Sequence, residues 1–513
     1  MKTIYSILLL VFCAGTSLAQ ISPQSKKITN LFFQDLDSLQ NHTPALQKKR
    51  GFTNYEELID FLNQLKAKQP DWVTIKYIGE SQNGLAIPLV RINTGGDKID
   101  KVRVFMQGGL HGNEPASTEG VLYFLYRILN KPSYLPYLEK TDLMIIPMAN
   151  IDGYLKNQRN SANGLDLNRD QTKLMAPESI PLKQAFSDFA PEVALDFHEY
   201  NAYRRHFRKM SSFGITSLFD VMFLYSGNLN VPENLRKMTD TLFVEATRKN
   251  LSNHDLNYYD YISTREELGN ISFNKGSVNS RSSATSYALT NCISSIIEVR
   301  GVRLNKTSFK RRVFTTFLVA ESFFKTAVEN KDVLREEIKK AQQTSTEITV
   351  LSERKRYLDT LQVIDLDTKK VIGLEATIND ALQSKPQLTR KRPDYYVIEA
   401  TQEDLIKKLN VLGLEATQLE QDTSYKVEAM TVKAYKRSDF PYEEMYLQTV
   451  ETELEEKQMT FPKGTYLIST DQKNTAMLTE TLEPEAPNSF VSFGVIETSL
   501  NNTLPIYRLF TKK

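Results

Sequence analysis

A chain of 513 residues is too long for one ordinary domain, and 41% hydrophobic with 25% charged content is the balance of a soluble globular protein able to bury a large core. With 64 Lys and Arg against 62 Asp and Glu, the formal charge is only +2. That excludes the electrostatic footprint a nucleic-acid binder or a partner of anionic membranes would carry.

The chain opens on "MKTIYSILLLVFCAGTSLAQ", with basic Lys2, an apolar stretch from Ile4 to Phe12, and small Ser17 and Ala19. This predicts a cleaved secretory signal over residues 1–19 and an exported mature chain, periplasmic or secreted. The apolar stretch falls short of the roughly 20 residues a spanning helix needs, and no later segment reaches that length. Cleavage removes Cys13, leaving Cys292 alone, so no intramolecular disulfide is expected. A lipid anchor at Cys13 is the alternative, although bulky Phe12 just before it is unlike the small residue such sites usually carry.

After a polar leader at 20–50, "TNYE" at Thr53 to Glu56 predicts a capping box that opens a helix with Leu58, Phe61, Leu62 and Leu65 on one face. The strands "WVTIKYIG" and "LAIPLVRI" follow, joined through "SQNG". The apolar runs "KVRVFM", "DLMIIPM", "EVALDF" and "SSIIEV" then alternate with helical stretches. That pattern predicts an α/β fold with a mixed, largely parallel central sheet flanked by helices. Open sheets of this kind bind ligands at the carboxyl ends of their strands. His111 lies just past "KVRVFM", His198 ends "EVALDF" and Glu298 ends "SSII". Between them, Gly108 and Gly109 break the first of these strands, as a sharp turn at the sheet edge requires.

Helical spacing at Val313, Phe317, Phe324 and Val328 closes a first domain, expected at 51–343 and bounded by the polar "QQTSTE". The remainder, 348–513, contains no His. It alternates in "YKVEAMTVKAYK" and "MYLQTVETEL", turns at "FPKG", and has helical stretches at Thr401 to Asn410 and Thr475 to Leu482. A smaller β-rich or α+β domain without its own catalytic cluster is expected.

Five His are present: His42, His111, His198, His206 and His254. A mononuclear zinc hydrolase needs three protein ligands and an open position, and two His with one Glu form a known set that His111, Glu114 and His198 would supply. No motif surrounds His42 or His254, and His206 sits in the basic "YRRHFRK".

The segment from Asn150 to Asp170, "NIDGYLKNQRNSANGLDLNRD", gives this pair its context. From Tyr55 to about Lys325 the sequence resembles the zinc carboxypeptidase family. In order come His111 and Glu114, "NIDGY", Arg159, "DLNR", "DFHEY" and "IIEVRG". Ile151 stands where the family usually has Pro, and Tyr287 lies too close to Glu298 to be the family's mobile Tyr.

The resemblance implies one Zn²⁺ on His111, Glu114 and His198, lowering the pKa of a water and polarising a carbonyl. Glu298 would be general base, and Arg159 would stabilise the oxyanion. Asn168 and Arg169 would hold a terminal carboxylate, and Asp166 would orient His111. The substrate would be a peptide or muropeptide with a free C-terminus. Arg281, in "GSVNSRSSATSY", lies where the family builds its side-chain pocket; buried there it would favour an acidic side chain, with a solvent-facing Arg281 as the alternative. Two other readings remain at this stage: a zinc amidohydrolase of muropeptides or N-acyl amino acids, and a non-catalytic binding protein that keeps the fold.

Overall fold

The computed structural model describes residues 24–511, except 37–38, 96–99, 205, 208–211 and 343–344. The expected signal at 1–19 lies outside these residues. The first long helix, Tyr55–Lys68, buries Leu58, Phe61, Leu62 and Leu65. Its capping box is set one residue later than the sequence suggests: Asn54 caps the backbone of Glu57, and the Glu57 side chain returns to the Asn54 N–H. Thr53 instead donates its hydroxyl to buried Glu119, which fixes the leader against the helix behind the site.

Strands are numbered along the chain. An eight-stranded sheet runs in the order β1 (Val73–Glu80), β2 (Ala86–Asn93), β4 (Thr141–Ile146), β3 (Val102–Gly108), β5 (Val193–Tyr200), β12 (Ile293–Arg300), β8 (Val221–Leu224) and β9 (Tyr258–Asp260). Its centre, β4–β3–β5–β12, is parallel. Antiparallel pairing enters at β1–β2–β4 and at β12–β8. Every residue of β5 is buried, which explains its unbroken apolar run. Helices Pro115–Asn130 and Phe309–Glu329 interlock through Tyr123 on Phe317 and Phe124 on Phe324, at 5.4 and 5.6 Å between ring centroids. Phe105 of β3 meets Phe186 and Tyr287 from the shorter helices Ser179–Phe189 and Ser283–Ala288.

A second, six-stranded sheet has the order β10 (Ile262–Glu267), β11 (Asn270–Lys275), β14 (Val371–Lys391), β13 (Glu347–Asp365), β7 (Ile215–Ser217) and β6 (Tyr203–Arg204). The long hairpin β13–β14 follows the polar segment at 342–347 yet pairs with strands that precede it.

The third sheet is antiparallel throughout, in the order β16 (Thr417–Gln418), β19 (Tyr466–Ser469), β15 (Tyr395–Ile398), β20 (Thr503–Leu509), β17 (Thr423–Arg437) and β18 (Gln448–Phe461). Helices Glu403–Val411 and Thr475–Leu482 cover it. Its core, with Tyr396, Leu409, Ile468 and Leu482, also takes in Leu174, Val231, Ala288 and Leu289 from earlier in the chain. Among the described residues no helix is long and apolar enough to cross a membrane.

Candidate active site

Three neighbouring parallel strands deliver the site. In register, Gly108 of β3 pairs with Phe197 of β5, and His198 of β5 pairs with Glu298 of β12. The chain leaves β3 through Gly109 at φ +66°, a left-handed conformation that glycine adopts without strain. A side chain at Gly112 would collide with the backbone of Gly153, so the loop carrying His111 is pressed onto the "NIDGY" turn. That turn forms without the family's Pro, because the Asn150 side chain accepts from the Gly153 N–H and donates to the Arg159 carbonyl.

His111, Glu114 and His198 are buried, and their ligand atoms lie within 4.8 Å of one another. Glu114 Oε1 is 2.9 Å from His111 Nδ1, Glu114 Oε2 is 2.9 Å from His198 Nδ1, and the two Nδ1 atoms are themselves 2.9 Å apart. His111 Nε2 faces Asp166 Oδ1 at 3.0 Å, and His198 Nε2 faces Asp196 Oδ2 at 2.9 Å. Each of those carboxylates is an acceptor, so each ring carries its proton on Nε2 and turns an Nδ1 lone pair inward. Two lone pairs and a carboxylate converging on one point repel unless a cation sits among them, and two imidazoles plus one carboxylate is a donor set that zinc takes. The residues therefore fit the ion the sequence implied.

Charge follows the same arrangement. Burial disfavours ionised Glu114, but His111 and His198 outweigh it and hold the group below the usual carboxylate range. For His198, burial likewise opposes charge, while Asp196 and Glu114 draw its pKa well above the ordinary value, so a proton competes with a metal ion for the Nδ1 lone pair. Asp166 is held low against burial by His111 and Arg159. Glu298 moves the other way: burial raises it, and the charge on Glu114 adds to the effect.

These groups open on a cavity of about 460 Å³ lined by His111, Arg159, Asn168, Arg169, Arg281 and Glu298. Arg159 donates from Nε to Asp166 at 3.0 Å and from Nη1 to Glu114 at 3.3 Å. The Asn168 side-chain carbonyl accepts from the Ser283 N–H at 2.9 Å, leaving its NH₂ as the group available to a ligand. Arg169 donates to the Asn168 carbonyl at 2.8 Å. Arg281 is half-buried, its guanidinium 5.0 Å from the Tyr442 ring centroid. A roomier cleft of about 780 Å³ is lined by paired charges such as Arg91 with Asp142, and among the described residues no cluster of metal-binding groups lies in it.

The remaining His stand elsewhere. His42 stacks on Tyr126, His254 meets Phe314 edge-on, and His206 lies outside the cluster. Tyr287 is core, stacked on Phe186 at 4.0 Å. Sequence reasoning missed four contributors. Asp196 was visible as an acid two residues before His198 on the same strand face. Tyr261 lines the cavity, its hydroxyl pushed up to about 12 by burial and then by Glu298. The tip of the β17–β18 connection also reaches the site: Glu443 accepts from the Asp166 N–H at 2.7 Å, and Tyr442 covers Arg281. No sequence signal marks those last two.

The zinc carboxypeptidase family model matches residues 58–331. Carboxypeptidase 2 of Trichophyton rubrum is 30% identical over 471 residues, covering 90% of this chain and 87% of the relative. A probable carboxypeptidase 2 of Trichophyton verrucosum is 28% identical, covering 84% and 85%. Among solved structures, the carboxypeptidase A from Helicoverpa armigera is 18% identical over 56% of this chain and 78% of its own, at a TM-score of 0.42. The chain belongs to the zinc carboxypeptidase family and is a zinc-dependent metallocarboxypeptidase.

Proposed function

We propose that the protein is exported and removes the C-terminal residue of peptides at the cavity between Glu298 and Asn168. The observation that carries this is the convergence of His111, Glu114 and His198 on one point, beside Glu298 and the Asn168–Arg169 pair. A zinc ion held by the three ligands would supply the Lewis acid that acidifies water and polarises the scissile carbonyl. Asn168, through its NH₂, and Arg169 bind the substrate's terminal carboxylate and so set the last peptide bond over the ligands. Glu298, whose raised pKa suits a proton carrier, takes a proton from the attacking water and delivers it to the leaving amine nitrogen. Arg159 makes no hydrogen bond through Nη2 among the described residues and places positive charge where the carbonyl oxygen becomes negative.

A cavity of this volume falls within the ~300–1,000 Å³ of small-ligand sites, which suits the end of a chain rather than its middle. Export rests on the N-terminal pattern, basic Lys2 followed by the apolar stretch from Ile4 to Phe12 and small Ser17 and Ala19. Mass spectrometry of defined peptides and muropeptides incubated with the zinc-loaded protein tests the reading. Single-residue loss from free C-termini is expected, blocked by C-terminal amidation and absent in Glu298→Gln. Cleavage of amidated peptides at internal bonds, or of small N-acyl amino acids alone, would overturn it.

A further inference from the structure

The cavity holds more positive charge than removal of an ordinary residue requires. Five guanidinium groups line it, those of Arg159, Arg169, Arg204, Arg281 and Arg354, against the carboxylates of Glu199 and Glu298. Glu199 is already engaged by Arg312 at 2.7 Å, and Glu298 is assigned to proton transfer. Arg159 is committed to Asp166 and Glu114, Arg169 lies with Asn168 at the terminal-carboxylate position, and Arg281 is covered by Tyr442.

Two guanidinium groups are left. Arg204 on β6 gives one N–H to the Ile262 carbonyl at 3.2 Å, while its Nε is buried without a partner. Arg354 on β13 likewise keeps a buried, unpartnered Nη1. Neither has a carboxylate partner among the described residues. Glu298 and Asp380 act on them only through space, a buried guanidinium N–H without an acceptor is costly, and a guanidinium matches a carboxylate through two parallel N–H donors. The neighbouring Ser263, Asn274 and Asn279 are polar and uncharged. Leu224, Tyr261, Ile262 and Val302 also line the cavity and offer apolar contact to any side chain, but no uncommitted carboxylate faces a Lys.

We propose that Arg204 and Arg354 recognise a second carboxylate on the substrate, so that the enzyme prefers a C-terminal residue with an acidic side chain. The inference rests on the carboxypeptidase reading and deepens it. It moves the acidic preference from Arg281, where the sequence placed it, to the second sheet. Arg354 also lies outside residues 58–331, the span the family model matches, on β13 of the long hairpin. A Lys end meets like charge, and an apolar end leaves both guanidinium groups unpaired, which sites built for a polar partner reject strongly.

The test compares kcat/KM of the zinc-loaded full chain on peptides differing only in a C-terminal Glu, Asp, Gln, Leu or Lys, with a γ-glutamyl-diaminopimelate peptide as a cell-wall arm. Glu, Asp or diaminopimelate is expected to exceed Gln by about tenfold or more, mainly through KM, with the favoured acid telling peptide from cell-wall substrates. Arg204→Gln and Arg354→Gln should each shrink the Glu-to-Gln ratio. Calorimetric titration of the zinc-loaded Glu298→Gln protein with N-acetylglutamate and N-acetylglutamine reads the same preference without turnover. Release of no residue from any peptide would count against the carboxypeptidase reading alone. Equal or better use of Gln, Leu or Lys, or equal binding of the two acetylated products, would overturn the acidic preference.

Discussion

Asp196 and Asp166 decide which face each imidazole shows. By accepting from Nε2 of His198 and His111, they turn both Nδ1 lone pairs toward Glu114. Asp196→Asn allows the His198 tautomer to invert, and zinc affinity should fall by about 10–100-fold, read by competition with a chromogenic chelator. Unchanged affinity would mean that backbone packing alone holds the ring. A second residue is notable for charge rather than chemistry. Lys183 is buried against Phe186 and Tyr287, its one hydrogen bond among the described residues goes to Ser286 Oγ, and burial lowers its pKa to about 7. Between pH 7 and the unfolded value near 10.5, the unfolded chain binds the extra proton, so this group destabilises most at and below pH 7 and progressively less as pH rises. Lys183→Met should therefore raise Tm more at pH 7 than at pH 10; equal gains would show that burial does not neutralise the amine.

Elements set where these residues meet, and they differ in how plainly the sequence announces them. His111, His198 and Glu298 were legible because each ends or closely follows a short apolar run, the mark of parallel strands buried at nearly every residue. The capping box was displaced by one residue because Thr53 and Asn54 both suit a cap, and only the tertiary bond from Thr53 to Glu119 decides between them. Short strands such as β6 and β7 left no periodic signal, and the β17–β18 connection is a polar loop until it docks. At its tip Glu443 and Glu444 both hold positive φ, at 49° and 62°, a strained backbone sustained where surrounding contacts fix it. Glu443→Ala removes the acceptor from the Asp166 N–H, and kcat/KM is expected to fall about tenfold with zinc content retained, since one lost charged hydrogen bond costs roughly 1.5–3 kcal/mol. An unaltered rate would make the tip a bystander.

At the scale of the molecule, the polar segment at 342–347 separates elements in sequence more sharply than in space. The β13–β14 hairpin completes a sheet begun before it, and the third sheet's core takes in Leu174, Val231, Ala288 and Leu289. Composition could not show this, because shared burial is a property of packing and not of any local pattern. Glu483 binds the parts together: fully buried, it accepts from Tyr396 Oη and Arg390 Nη1, each at 2.6 Å. Glu483→Ala leaves Arg390 with Glu485 and Arg508 with Glu428 but strips both of a buried acceptor, and should cost about 1.5–3 kcal/mol in urea unfolding. A loss below about 1 kcal/mol, the range of an exposed pair, would show that water compensates there.

The proposed hydrolytic centre is metal-assisted and built from three strand ends. Its most direct test is a titration of metal-free protein with zinc, following release of a C-terminal residue alongside bound metal. Activity should rise linearly and stop at one equivalent, and Glu298→Gln should bind the same single equivalent without turnover. Full activity in the metal-free protein, or no zinc bound at stoichiometric concentration, would contradict the assignment of His111, Glu114 and His198.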